Sequence, residues 1–395
     1  MSIHSVAEIQ GLYGPITVAE TLLQKIWHQG DFGQHKLTTL EGLPLRIHNR
    51  GTWNRLEGPD FKQAEIEVDG QHLVGDIEIH FYARDWFRHK HDRNAHFKDV
   101  SLHVVLFDPS PKEQALFQAQ TNPRFHTLVF LPLLEQDIEA YAMQEAFLAI
   151  ERSTDTEQLD AWMLLTPQQR RSALRDKARH RWEQKVIFAQ QRLEQTNWNE
   201  ACHQACLETL GYRRNRTPMV HLATRFPLAE MARQGRQAED YFALVKEDWK
   251  LAGLRPANHP LRRLEQYLKL LAQRPDWPES LQAIHLGQAS ISMTTADFRR
   301  HHRLSQQKQF FQNDLLAPLG GTRLDTFICD AVLPLLSVSQ QTDLFPFWFH
   351  WFGGDIPDSL IAFEKAIEIL DGKSYPASNG MHQGALQTFI EEGLN

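Results

Sequence analysis

The hydrophobic rhythm of this chain changes once, and that change constrains its fold more than any other feature. Over about residues 36–107 apolar side chains alternate in short β-branched runs broken by Gly, Pro and Asn, as in strands. Beyond about Thr156 they recur every three or four residues almost to the end, as in helices. A polar, apolar-poor stretch at residues 151–158 separates the two patterns. The spacing therefore predicts an α/β domain over residues 1–150 and an all-α domain over residues 151–395, and 395 residues are enough for both.

In the first part, Thr17 and Glu20 have the T-x-x-E spacing of a capping box, ahead of an apolar face made by Leu22, Leu23, Ile26 and Trp27. Two short apolar runs then flank Glu41-Gly42, the pattern of a tight hairpin. Ala64, Ile66 and Val68 alternate with Glu65 and Glu67 in the next strand. Gly70 turns the chain into another, where Leu73, Gly75, Ile77, Ile79 and Phe81 oppose Val74, Asp76, Glu78 and His80. A polar crossover over residues 84–98 leads to a last strong strand at residues 100–107. The expected order is helix, three strands, crossover, strand.

A formal charge of −7, from 42 basic and 49 acidic residues, excludes a protein that coats nucleic acid by bulk positive charge. Three cysteines, Cys202, Cys206 and Cys329, cannot form a disulfide framework, which points to a reducing compartment. Residues 1–15 show no basic run followed by an apolar one, so no secretory signal is expected. The most apolar late stretch, residues 344–352, is too short to span a bilayer. The expectation is a cytoplasmic protein without a membrane partner, and no oligomeric state follows from the sequence.

Period-two geometry sets Asp76, Glu78 and His80 on one face of a strand. Asp60 stands at the mouth of the preceding strand, in Gly58-Pro59-Asp60-Phe61. If the two strands pair, Asp60 approaches Glu78. Two carboxylates and an imidazole in that arrangement suit a hard divalent cation, Mg²⁺ or Mn²⁺, with His80 as a further ligand or as the group that handles a water proton. A strand with one solvated face has the same alternation, and Gly-Pro-Asp is also an ordinary turn, so these residues leave a structural reading open.

Asp60, a β-turn-β, then Glu78-Ile79-His80, preceded by a helix bearing Glu20, resembles the PD-(D/E)XK phosphodiesterase superfamily, the restriction-endonuclease-like fold of a mixed sheet flanked by helices. That resemblance implies that Asp60 and Glu78 ligate the metal and that Glu20 is an additional acid. His80 departs from the pattern by standing where the superfamily has Lys. A longer resemblance runs through Gly51-x-x-Asn54, Gly58-Pro59-Asp60-Phe61-x-x-Ala64, Gly75-Asp76-Ile77-Glu78-Ile79-His80, Asp85-Trp86-x-x-His89-x-His91 and Leu102-His103-Val104-Val105. It continues through Gly211-Tyr212, Asn215 and Pro218 to Arg255-Pro256-x-Asn258-x-Pro260-x-x-Arg263. These motifs are similar to those of a bacterial family, domain of unknown function 2851, and that family name implies no activity.

His80, His89, His91, His96 and His103 fall within 24 positions. His89-Lys90-His91-Asp92 is superficially similar to the H-x-H-x-D-H motif of metallo-β-lactamase-like hydrolases, with a different spacing. A Zn²⁺ site on His89, His91 and His103 is therefore an alternative. Otherwise His89 and His91 are expected to contact substrate phosphate, with Asp76 and His103 supporting the metal ligands from behind.

In the second part, residues 167–195 read as one long helix. Arg170, Lys177, Arg181, Lys185 and Arg192 share a narrow arc of it. The expectation is a basic ridge for a phosphate backbone, although a solvated helix face has the same composition. Cys202 and Cys206 read as buried thiols, and the aromatic residues 345–352 as core. The functional expectation is a divalent-metal-dependent nuclease acting on DNA or RNA. The alternatives are a catalytically silent nucleic-acid-binding or scaffold protein of the same fold, and a zinc-dependent hydrolase.

Overall fold

In the computed structural model of the chain the alternating segment becomes one mixed sheet and the later segment becomes helices. The structure describes residues 20–33, 37–109, 113–115, 125–134, 138, 141–142, 145 and 161–392, without 213–214, 234, 247, 252–253, 355 and 357. Thr17 and the polar stretch at residues 151–158 lie outside the described residues. The chain divides into two units, residues 18–138 and residues 139–393.

The first unit opens with α1 (Glu20–Gln29), which buries Leu22, Leu23, Ile26 and Trp27, the stripe its spacing calls for. Strands β1 (Leu37–Thr38), β2 (Pro44–Asn49), β3 (Thr52–Trp53), β4 (Phe61–Val68), β5 (Gln71–His80), β6 (Val100–Val105) and β7 (His126–Val129) form a seven-stranded sheet. Its order is β1-β2-β4-β5-β6-β7, with β3 paired to β4 off this path. Pairing is antiparallel from β1 through β5 and parallel from β5 to β6 to β7. The β5–β6 crossover contains a single helical turn, α2 (Asp85–Arg88), and two short 3₁₀ turns. Gly75 is required where β6 comes close: a Cβ there would lie 2.7 Å from Asp99 O and from Ser101 Cβ.

The expected helix, the hairpin about Glu41-Gly42, the two strands about Gly70, the crossover and the strand after it are all present. The short strands β3 and β7 were not expected, and two or four residues carry too little periodicity to be read. The β5 face bearing Asp76, Glu78 and His80 is not a solvated one. These residues are only 7%, 6% and 1% exposed, because the β4 residues Lys62 and Gln63 cover Asp76, while Glu20 of α1 and His89 and His91 of the crossover cover the end of the strand.

The second unit is helical. Its longest helix, α3 (Pro167–Gln195), has the expected length and begins in a capping box in which Thr166 Oγ1 accepts from Gln169 N at 3.3 Å and Gln169 Oε1 accepts from Thr166 N at 2.9 Å. Helix α4 (Trp198–Leu210) is buried along nearly its whole length, with Cys202 and Cys206 as free thiols in its interior. The aromatic residues of α5 (Phe345–His350) are core, and α6 (Asn379–Glu392) packs along α3. Among the described residues no helix is long and apolar enough to cross a membrane.

Candidate metal centre

The site begins at a bulge. β4 and β5 lose register between Phe61 and Ala64, and Gln63 takes φ 56°, which lets Asp60 and Lys62 both turn toward β5. Asp76 secures the bulge: its Oδ1 accepts from Gln63 N at 3.1 Å and its Oδ2 from Lys62 Nζ at 2.8 Å. Asp60 and Glu78 then clasp each other's backbone. Asp60 N donates to Glu78 Oε2 at 3.1 Å, and Ile79 N donates to Asp60 Oδ2 at 2.9 Å. Gln24, one turn beyond Glu20 on α1, donates to Asp60 Oδ1 at 2.7 Å. Glu20 Oε1 accepts from Phe81 N at 3.4 Å, which brings the helix carboxylate to the end of β5.

These three carboxylates oppose one another electrostatically. Burial raises the pKa of Asp60, and the charges of Glu78 and Glu20 raise it further. Burial likewise raises Glu78, with Glu20 adding to the rise and Lys62 opposing it. Burial holds Glu20 at about 7. At neutral pH the cluster therefore retains protons that free carboxylates lose near pH 4.

On the other side of Glu78 stand the histidines. His80 Nδ1 lies 2.8 Å from His103 Nε2, and His80 Nε2 lies 3.2 Å from His89 Nδ1 and 3.4 Å from Glu78 Oε1. His91 Nε2 lies 3.2 Å from the same Glu78 oxygen. Lys90 between them takes the left-handed conformation, φ 60°, and that reversal returns both His89 and His91 toward His80. Phe97 stacks on the His91 ring at 3.8 Å, and Trp86 packs against both His91 and His103. Burial lowers the pKa of all four imidazoles, to about 4 for His91 and about 3 for His103. They are neutral at pH 7, the state in which imidazole ligates metals.

Of the residues expected at a site, the structure brings together Glu20, Asp60, Glu78, His80, His89 and His91. Asp76 touches Lys62 and the bulge, and His103 stands behind His80 at the paired position of β6. Of the zinc set His89, His91 and His103, the ligand atoms that lie within 4.8 Å of one another belong instead to His80, His89 and His91. Sequence reasoning missed Gln24, Lys62 and the aromatic wall. The spacing of four between Glu20 and Gln24 on a helix was the signal for the first.

The basic ridge of α3 requires correction. Arg170 is buried and donates to the carbonyls of Trp162, Ile367 and Met163 and to Glu368. Arg181 is buried against Gln383 and Gln387. Lys185 pairs with Asp330 at 2.8 Å, and Arg192 with Glu208. Lys177 is half-buried. A buried guanidinium must be matched by oxygens, so α3 uses these cations to pack its neighbours and does not present them as a ridge.

No curated protein and no solved structure matches the chain. The model of one family does, across every residue of the centre just described: over residues 20–246 the chain belongs to the family described as Protein of unknown function (DUF2851).

Proposed function

We propose that the N-terminal unit is a divalent-metal-dependent phosphodiesterase of the PD-(D/E)XK type, acting on nucleic acid. The observation that carries this reading is the convergence of Glu20, Asp60 and Glu78, whose charges oppose one another in a largely buried place. Carboxylates crowded this way need a cation to ionise together at neutral pH, and an oxygen-rich set suits Mg²⁺ or Mn²⁺. A divalent ion held there supplies a Lewis acid for a phosphoryl oxygen and acidifies bound water.

The chain's own residues divide the remaining work. Asp60 and Glu78 hold the cation, with Asp60 aimed by Gln24 and the Ile79 amide. Glu20, which reaches the end of β5 beside these ligands and whose pKa burial raises, is placed to accept a water proton. His80 occupies the position of the superfamily's Lys and is neutral. Lys62, steadied by Asp76 and acting on Glu78, supplies the ammonium instead. Exposed Arg88, Lys90 and His89 on the crossover offer contacts for substrate phosphate. The nucleic-acid substrate rests on the resemblance of Asp60…Glu78-Ile79-His80.

The test is cleavage of mixed DNA and RNA substrates with Mg²⁺, Mn²⁺ or EDTA, wild type beside Glu78→Ala. Metal-dependent cleavage reduced by at least about 10²-fold to 10³-fold in the variant is expected. Absence of cleavage in every metal condition, or an unimpaired variant, overturns the reading. Substrate binding without cleavage would mark a silent binding module.

A further inference from the structure

We propose that His80, His89, His91 and Glu78 Oε1 form a binding site for one transition-metal ion of the Zn²⁺ class, distinct from the carboxylate side of Glu78. The proposal stands whether or not the unit cleaves phosphodiesters.

The spacing of the donor atoms carries it. Bonds of 2.0–2.1 Å to a tetrahedral ion set neighbouring ligand atoms about 3.3–3.4 Å apart. The chain already holds His89 Nδ1 and His80 Nε2 3.2 Å apart, His80 Nε2 and Glu78 Oε1 3.4 Å apart, and Glu78 Oε1 and His91 Nε2 3.2 Å apart. The three imidazole donors lie within 4.8 Å of one another. A plain hydrogen-bonded chain accounts for His89, His80 and His103 but not for His91. Both His91 ring nitrogens are enclosed and make no hydrogen bond of acceptable alignment, even though Nε2 is so close to Glu78. Ligand spacing without hydrogen-bond alignment fits a shared central ion better than a hydrogen bond.

The surroundings fit the same purpose. His80 Nδ1 is engaged by His103 Nε2, so a proton on Nδ1 leaves the Nε2 lone pair for the ion, the supporting contact that metal-bound imidazoles regularly have. Stacking on Phe97 fixes the plane of His91, and His80 lies parallel to His91 with ring centroids 5.2 Å apart. His89 is exposed on its turn, which opens a path for the ion and for a further ligand. Three imidazoles and one carboxylate oxygen select a borderline ion over Mg²⁺, which prefers oxygen alone. Glu78 divides its oxygens between the two sides, with Oε2 turned to the Asp60 amide and Oε1 to the histidines.

The experiment titrates the metal-free full-length chain with Co²⁺ alone, followed by displacement with Zn²⁺, and reads visible absorption and bound metal per chain. One Co²⁺ per chain is expected, with the intense bands of a four- or five-coordinate site that Zn²⁺ abolishes. His89→Ala and His91→Ala should each weaken binding by more than the roughly 10–100-fold typical of losing a supporting residue. His89→Ala truncates a side chain carried on an exposed turn, and circular dichroism checks that both variants are folded. Asp60→Asn should keep the Co²⁺ spectrum. No stoichiometric Co²⁺ in the wild type, or undiminished binding in both histidine variants, overturns the site. Co²⁺ binding with no cleavage would uphold this site and defeat the phosphodiesterase reading. Cleavage without stoichiometric Co²⁺ would do the reverse.

Discussion

Both units of this protein bury charged and polar side chains, and they treat them in opposite ways. In the second unit a buried cation meets an oxygen: Arg170 faces carbonyls, Arg181 faces amides, and Glu208 receives both Arg192 and Arg216. In the first unit like faces like. Glu20, Asp60 and Glu78 oppose one another, and His80, His89, His91 and His103 gather as a group of neutral rings. Complementary burial offsets much of its own desolvation cost, whereas uncompensated burial costs stability until a ligand supplies what is absent. The difference distinguishes a packing device from a site.

Deleting one carboxylate from each unit separates the two kinds of burial by the largest effect. Glu208→Ala leaves Arg192 and Arg216 without their shared acceptor and should destabilise the second unit by about 3–5 kcal/mol, read from its urea midpoint. Glu78→Gln removes a charge that the metal-free fold disfavours. It should stabilise the first unit at pH 7–8 by on the order of 1 kcal/mol while abolishing metal-dependent activity. Loss of stability in both variants would refute the distinction.

Proton linkage sharpens it further. Asp60, Glu78 and Glu20 have pKa values raised above those of the unfolded chain, so the folded state binds more protons and loses stability as pH rises from the carboxylate range near 4 through about 7 and beyond. The buried His203 of the second unit is lowered to about 4, so its penalty appears only as pH falls below about 6.5. Between pH 6.5 and 8 hydrogen exchange at β5 amides should therefore accelerate without metal beyond its ordinary base catalysis, while that in α4 should not. Saturating divalent metal should remove the excess. An identical pH response in the two elements would contradict the cause assigned here. The smallest effect belongs to Lys90→Gly, which relieves a left-handed residue but frees the unfolded chain. A net change within about 0.5 kcal/mol is expected in thermal melts.

Much of the fold was legible because its signals are local. Leu22, Leu23, Ile26 and Trp27 mark α1, the alternation about Gly70 marks β4 and β5, and helical spacing over residues 167–195 marks α3. The candidate residues Asp60, Glu78 and His80 were legible too, since turn chemistry and period two assign them positions along neighbouring strands. What periodicity could not convey was which side of a residue meets which partner. Arg170 and Arg181 share an arc of the helical wheel with Lys185, yet α6 and the carbonyl of Ile367 make that arc interior.

Local spacing along the chain carries the succession of elements, the change from sheet to helices, and the residue types along β5, because each depends on neighbours a few positions away. Tertiary structure decided that the Asp76–Glu78–His80 face is buried, that Glu20 and Gln24 come from 36–58 residues upstream to meet Asp60 and Glu78, and that His91 returns to Glu78. Desolvation and like-charge opposition come into being only when distant segments exclude water from the same small volume, and no spacing along the chain records that.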